Sequence, residues 1–323
     1  MQASTRTHRF TRPVPIDHPT NLSIDPDYRE RLDDCDRRES RIRSFFADRK
    51  FVHVWPGVCQ DETIVDAHID PVDWMHHDRQ RFLQSSPEYA MKRMLADGSG
   101  SIYSLGPVFR DHELGDWHRF EFTMLEWYEI DVDMIGGMAT TEALSHRVFG
   151  DRPVDRISYR EAFKDALNLD PIETDIDELR RNIRDANLAA SLTSRDDLLD
   201  VLLSEQIQPK FTKPTLLFDY PITQAALAEP SPRDDRCASR FEWFVDGVEL
   251  GNGYQELRDA DELIRRTEVN NRRRVATGRE PLPPPKRLID AMRRGLPACS
   301  GVAVGLDRLH AVARGETRLP ETT

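Results

Sequence analysis

Apolar positions recur along this chain with a period that changes several times. Over 37–48, Ile42, Phe45 and Phe46 form the apolar stripe of an otherwise charged helix. The run Phe51-Val52-His53-Val54-Trp55 reads as a short strand that stops at Pro56-Gly57, and 65–82 reads as strands and loops. Ser86-Pro87-Glu88 opens a helix, because serine suits the cap and proline the first helical position; Gly98 lies past its end. Strands are predicted over 101–109 and 120–129, joined by a charged loop that runs from Asp111 to Arg119. The stretch 155–208 reads as helical, with Ser158 and Glu161 at capping-box spacing. A strand over 215–220 ends at Pro221, and 240–254 reads as a hairpin turning at Asp246-Gly247. Asp259 and Glu262 start a charged helix. The proline-rich run 281–285 is an extended connector, and a short helix after it closes at Gly295 and Pro297. A glycine-bearing strand over 301–306 leads directly into a last helix.

Helices bracket hairpin-connected strands, and no regular βαβ alternation appears. The prediction is an α+β fold, an antiparallel sheet flanked by helices. Residues 1–36 are polar, proline-bearing and aperiodic, and read as an N-terminal arm before a folded unit over 37–323.

Composition narrows the function classes. With 38% hydrophobic and 32% charged residues, the chain can build a core beneath a charged surface. No apolar run approaches the roughly 18 residues of a membrane span, and the first residues lack the apolar stretch of a secretory signal. The formal net charge of −12 is a poor general footprint for nucleic acid and suits a basic protein partner. Cys35, Cys59, Cys237 and Cys299 form no CxxC pair, which fits reduced thiols in a cytoplasmic protein. The adjacent pair His76-His77 diverges on any regular element, so it is not read as a metal site.

Three segments carry candidate chemistry. In the first, Glu121 to Tyr128, strand alternation puts Phe122, Met124, Glu126 and Tyr128 on one face, where a carboxylate and an aromatic ring suit a cation. Arg110, at the end of the preceding strand, can pair with a carboxylate or phosphate through two parallel hydrogen bonds. A solvated strand edge with an ordinary ion pair would look the same. In the second, Gly247 to Leu257, Glu249 and Glu256 are placed to converge on one hard cation such as Mg²⁺, against the plainer reading of surface acids on a hairpin. In the third, Ser300 to Leu309, Gly301, Ala303 and Gly305 leave one strand face bare, as a closely approaching ligand requires. Arg308 begins the following helix, where a phosphate is favoured; tight strand–helix packing is the alternative.

Taken in this order, the segments GPVFRDHE…EFTMLEWY, GVELGNGYQEL and SGVAVGLDRL, with SSPEYAMKRML, resemble the catalytic domain of class II aminoacyl-tRNA synthetases of the lysyl type. Within that family the chain is most similar to the free-standing branch that modifies elongation factor P with β-lysine. The resemblance covers about 37–315. It implies a class II synthetase fold, ATP and Mg²⁺, an amino-acid substrate that is β-lysine or lysine, and elongation factor P as protein acceptor. FADRKFVHVWP resembles the family's interface motif, with Pro56 as its proline, which implies a homodimer.

Carried over position by position, the resemblance implies that Arg110 contacts the ATP α-phosphate and the substrate carboxylate. It implies that Asp111, His112, Glu113, Arg119, Leu250 and Gly305 lie along the nucleotide and that Arg308 clamps its terminal phosphates. Arg110 and Arg308 are the implied catalytic pair. Ser86, Pro87, Glu88, Asn252, Glu256 and Ala303 would surround the amino acid, with Glu126 and Tyr128 at its side-chain ammonium. Glu249 and Glu256 would hold Mg²⁺. Three departures stand out. Arg119-Phe120 follows His118 where the family has asparagine–proline, Asp111-His112 replaces asparagine and glutamate, and Ala303 replaces the glycine of the true lysyl enzymes. The 36 residues before the first helix are too few for the five-stranded barrel that reads tRNA in the family, so the expected acceptor is a protein and not tRNA. The altered loop over 111–120 leaves a second class open, a non-catalytic or differently specific paralogue that binds nucleotide or a partner.

Overall fold

The computed structural model describes residues 27–320. Helix α1 (Tyr28–Asp48) leads into two short strands, β1 (Val52–His53) and β2 (Cys59–Gln60), and the hairpin β3 (Asp73–His76) and β4 (Arg79–Leu83). Helix α2 (Glu88–Ala96) precedes the long pair β5 (Ile102–Phe109) and β6 (Glu121–Ile130), and α3 (Met134–Phe149) follows. Strand β7 (Asp155–Ser158) opens a helical stretch of α4 (Tyr159–Leu167), α5 (Ile176–Arg181), α6 (Ala186–Ser191) and α7 (Arg195–Leu202). The chain then forms β8 (Thr215–Pro221), the hairpin β9 (Cys237–Val245) and β10 (Val248–Gln255), helices α8 (Ala260–Ala276) and α9 (Lys286–Gly295), strand β11 (Cys299–Gly305) and helix α10 (Leu306–Ala313).

Eight strands form the main sheet in the order β1-β5-β6-β11-β10-β9-β8-β7, and β2-β4-β3 form a small second sheet. The inner pairs are antiparallel, whereas the outer pairs β1/β5 and β7/β8 are parallel. The architecture is the expected α+β sheet with helices, modified at its two edges. One sheet face is the core, where Leu125, Trp127, Phe241, Trp243, Val302 and Val304 pack with Ile42, Phe45, Phe46, Met138, Leu144 and Leu309 from α1, α3 and α10. Each such fully buried side chain contributes about 1.5–3 kcal/mol through removal from water. The opposite face is left for the cleft.

Local sequence explains the elements that frame this cleft. Asp246 and Gly247 both have positive φ, 50° and 77°, the conformation of a two-residue hairpin turn that matches strand twist. Ser158 and Glu161 form the complete capping box at α4, and the Asp259 carboxylate accepts the N–H groups of Asp261 and Glu262 at α8. Other expectations shift. Helix α1 begins at Tyr28, inside the stretch expected as an arm, and the rest of that arm lies outside the described residues. The strand expected over 51–55 is reduced to Val52–His53, and Trp55 beyond it is 74% exposed. The section expected to be helical from 155 opens instead with β7. It pairs with β8 and ends at Ser158, which caps α4, so strand passes to helix within one residue. Among the described residues no helix is long and apolar enough to cross a membrane.

Candidate active site

The bare face of β11 is the floor of a cleft with two adjoining pockets, of about 550 and 720 Å³. Arg110, Met124, Asn252 and Ala303 line both. Register brings them together. Ala303 pairs with Glu126 on β6 and with Asn252 on β10, and Gly305 pairs with Met124.

The first pocket is lined by Arg110 and Arg308 together with Glu113 and Glu249. Arg110 lies over the Phe122 ring at 5.2 Å, donates Nε–H to the Ser85 carbonyl (3.2 Å) and approaches Glu113 at 3.6 Å. Arg308, in the first turn of α10, donates Nε–H to the Trp117 carbonyl (2.9 Å) and Nη1–H to the Glu249 carbonyl (3.2 Å). His118 lines the same wall; burial first, then the nearby Arg308 charge, lower its pKa and keep the imidazole neutral. The Glu249 carboxylate faces this pocket, 3.9 Å from Arg308.

The second pocket is acidic. Glu126 is buried, and its two oxygens accept hydrogen bonds from Ser86 Oγ (2.7 Å) and Tyr128 OH (2.6 Å). Burial pushes its carboxyl up to about 7, with Glu88 adding to the rise and the two hydrogen bonds opposing it. Glu88 starts α2, and Glu256 follows β10. Between them sits buried Lys92, 2.6 Å from Glu88 Oε1 and 2.5 Å from Glu256 Oε2. Burial alone would depress this ammonium, but Glu256 and Glu88 outweigh it and raise its pKa. Three carboxylates therefore face one ammonium, an excess that suits a ligand bearing amines. Glu256 Oε1 has no hydrogen-bond partner among the described residues.

A side chain at 301 would destroy this arrangement. A Cβ built on Gly301 falls 2.1 Å from Glu256 Oε1 and 2.4 Å from the Tyr128 ring. Gly301→Ala is expected to raise the Michaelis constant for the amino acid by at least about tenfold, in line with overpacking costs, and to leave that for ATP nearly unchanged. Equal changes in both constants would show that the glycine serves the fold and not the pocket.

A family model for class II tRNA synthetases (D, K and N) matches residues 21–323. The chain belongs to the class II tRNA synthetase family. Its similar relatives carry the name elongation factor P–(R)-β-lysine ligase. The one from Salmonella arizonae is 39% identical over 293 residues, covering 87% of this chain and 90% of the relative. Those from Proteus mirabilis and Yersinia enterocolitica are each 40% identical over 293 residues, with the same coverage.

Among the residues singled out from the class II resemblance, Arg110, Glu113, Arg119, Glu249, Leu250, Gly305 and Arg308 line the first pocket. Ser86, Glu88, Glu126, Tyr128 and Glu256 line the second, and Asn252 and Ala303 both. Pro87, Asp111 and His112 line neither. Pro87 precedes α2 as its cap residue, Asp111 bridges to Asp70, and His112 stands exposed with φ of 62°.

Two expectations need correction. Arg119 does not offer its guanidinium to a nucleotide, because both terminal nitrogens donate to backbone carbonyls: Gly115, His118, Leu319 and Pro320. Glu249 and Glu256 do not share a cation either. Seven residues of extended strand separate their Cα atoms by roughly 20 Å, beyond the reach of two carboxylates to one ion. The residue missed was Glu242. It pairs with Asn252, while Glu249 pairs with Phe244, so Glu242 and Glu249 are diagonal neighbours on one face of the β9/β10 hairpin. The Glu242 carboxyl is raised by burial and next by the Glu249 charge, and its Oε1 accepts a hydrogen bond from Arg240 Nη2 at 2.6 Å. The turn dipeptide Asp246-Gly247 holds enough information to put both on one face. Among the described residues no cluster of three or more His, Cys, Asp or Glu side chains could hold a metal, so any cation here would complete its shell from ligand oxygens and water.

Proposed function

We propose that this protein is an ATP-dependent ligase. It activates (R)-β-lysine, or lysine, as an aminoacyl adenylate and transfers the acyl group to a lysine side chain of elongation factor P. The observation that carries the reading is Arg110, whose side chain belongs at once to the first pocket and to the acid-lined second one. Its guanidinium stands where a triphosphate in the first pocket and a carboxylate in the second would meet. A carboxylate oxygen attacks the α-phosphorus and pyrophosphate leaves. The acceptor amine then attacks the adenylate carbonyl, AMP leaves with the electron pair of the broken bond, and an amide results. The first step depends on alignment and charge neutralisation. Arg110 and Arg308 supply both at opposite ends of the nucleotide. Mg²⁺ would supply further neutralisation of phosphate charge, held by Glu242 and Glu249. The names of the relatives support the acceptor. The homodimer and a cytoplasmic location belong to the same proposal. Edge strand β1, with Val52 54% exposed and Trp55 beside it, supports a self-association face.

The decisive experiment incubates the protein with ATP, Mg²⁺, elongation factor P and each lysine isomer, and weighs the acceptor. A gain of one lysyl unit is expected. No gain, together with no ATP–pyrophosphate exchange for any amino acid, would instead favour a paralogue that only binds nucleotide.

The acid-lined pocket also fixes a pH dependence. An ammonium binds the ionised form of Glu126, whose carboxyl lies at about 7. Apparent affinity for lysine should therefore rise as pH rises through about 7 and level off above it. In Glu126→Gln that rise should flatten, and the preference for lysine over norleucine should fall. An unaltered preference would place the ammonium elsewhere.

A further inference from the structure

The loop between β5 and β6 is tied to the segment that follows α10. Arg119 Nη1 donates to the carbonyls of Gly115 (2.7 Å) and His118 (2.9 Å), at the two ends of the loop's tight turn. Its Nη2 donates to those of Leu319 (3.0 Å) and Pro320 (3.1 Å). The Leu319 N–H returns to the Asp116 carbonyl at 2.8 Å, so the segment is bonded to the loop in both directions. The Leu319 side chain is 4% exposed and lines the first pocket beside Trp117 and His118. The loop reaches the site directly, because the Trp117 carbonyl accepts Arg308 Nε–H. Gly115 and His118 close the turn only through two long bonds of 3.3 Å, so the turn by itself is weakly held.

We propose that Arg119 is a positioning residue that latches the 113–119 loop to the 316–320 segment, completing the wall of the nucleotide pocket and setting Arg308 for phosphate before ATP arrives. A planar guanidinium with five donors suits this task, since it spans two backbone segments at once; asparagine could not reach both, and lysine lacks the fork. The gain lies in ordering entropy. A charged loop that must be fixed at each binding event weakens affinity, and one already fixed does not. The reading rests on the ATP-dependent function proposed above, and it explains how this chain can keep a working pocket with Arg119-Phe120 in the loop.

The test uses the full-length protein and two independent breaks, Arg119→Ala on the loop side and Leu319→Pro, which removes the returning N–H on the other. Without nucleotide, the amides of 114–118 should exchange with deuterium at least about tenfold faster in both variants. In pyrophosphate exchange, the Michaelis constant for ATP should rise about tenfold while that for the amino acid stays within about twofold, and Arg119→Lys should fall between. Unchanged loop exchange in Arg119→Ala would overturn the latch. So would faster exchange in Arg119→Ala with none in Leu319→Pro, because the 316–320 segment would then play no part. A parallel rise in both Michaelis constants would reduce Arg119 to general structural support. The deuterium measurement needs no nucleotide, so a wild-type protein inactive in pyrophosphate exchange would overturn the ligase reading and leave the latch to be judged separately.

Discussion

Arg110→Ala is expected to slow adenylate formation by about 10²–10³-fold, the loss that follows removal of one preorganised donor to developing charge. The side chain enters the site from the end of β5, and its orientation is set before any ligand binds. Nε–H is held by the Ser85 carbonyl, and the plane lies over Phe122. One edge is thereby fixed, Nη1 lies 3.6 Å from Glu113 Oε1, and the side chain lines both pockets. No other basic side chain lines both, so the loss has no substitute among the described residues. Steady-state pyrophosphate exchange gives the test. The Michaelis constants for ATP and amino acid should change less than the turnover number, because the guanidinium's advantage is greatest where charge builds between the two substrates. Arg110→Lys should recover little, since an ammonium cannot make two parallel bonds. Adenylation near the wild-type rate in Arg110→Ala would remove this residue from the mechanism.

The parts of the site that lie on one strand were legible in the sequence. Alternation alone put Phe122, Met124, Glu126 and Tyr128 on one face, and the spacing of Gly301, Ala303 and Gly305 marked the bare floor opposite them. What the sequence concealed depends on contacts between distant elements. Lys92 looks like any charged residue of a nine-residue helix and becomes a buried cation only because α2 meets the chain after β10. Strand β7 has four residues, and its parallel partner lies beyond the whole helical section, so no turn announces the pairing. Spacing along one strand suggests Glu249 and Glu256 as a metal pair, whereas the hairpin folds Glu242 back to the same face as Glu249. Arg119 is assigned to the nucleotide only by its position in the family resemblance, where the family has asparagine. Its four carbonyl partners, two of them some 200 residues away, are invisible to any local pattern.

Lys92→Met should be the most destabilising single substitution in the amino-acid pocket, at about 3–5 kcal/mol near neutral pH, as expected when one member of a buried ion pair is removed and its partner must either stay charged without a counter-ion or take up a proton. Methionine nearly matches the volume, so the loss is one of charge and not of packing. In the variant, Glu256 remains buried beside Glu88 and Glu126 with no cation to balance them. The sign of the pH dependence follows. Burial already raises the Glu256 carboxyl above its ordinary 4.5, and Lys92 is the main opposing influence. Without Lys92 it rises further, so the folded state holds a proton that the unfolded chain has released. Stability of the variant should then fall as pH rises above about 4.5, and its deficit against wild type should narrow as pH drops toward that value. Chemical denaturation at pH 5 and pH 8 measures both. The stricter check is the double variant. Glu256→Gln in the Lys92→Met background removes the unpaired ionisable group and should restore most of the stability, although Glu256→Gln alone destabilises by leaving Lys92 with one partner. A double variant no more stable than Lys92→Met would mean that the lysine holds the pocket through packing, and that charge balance is not what orients Glu256 toward its ligand.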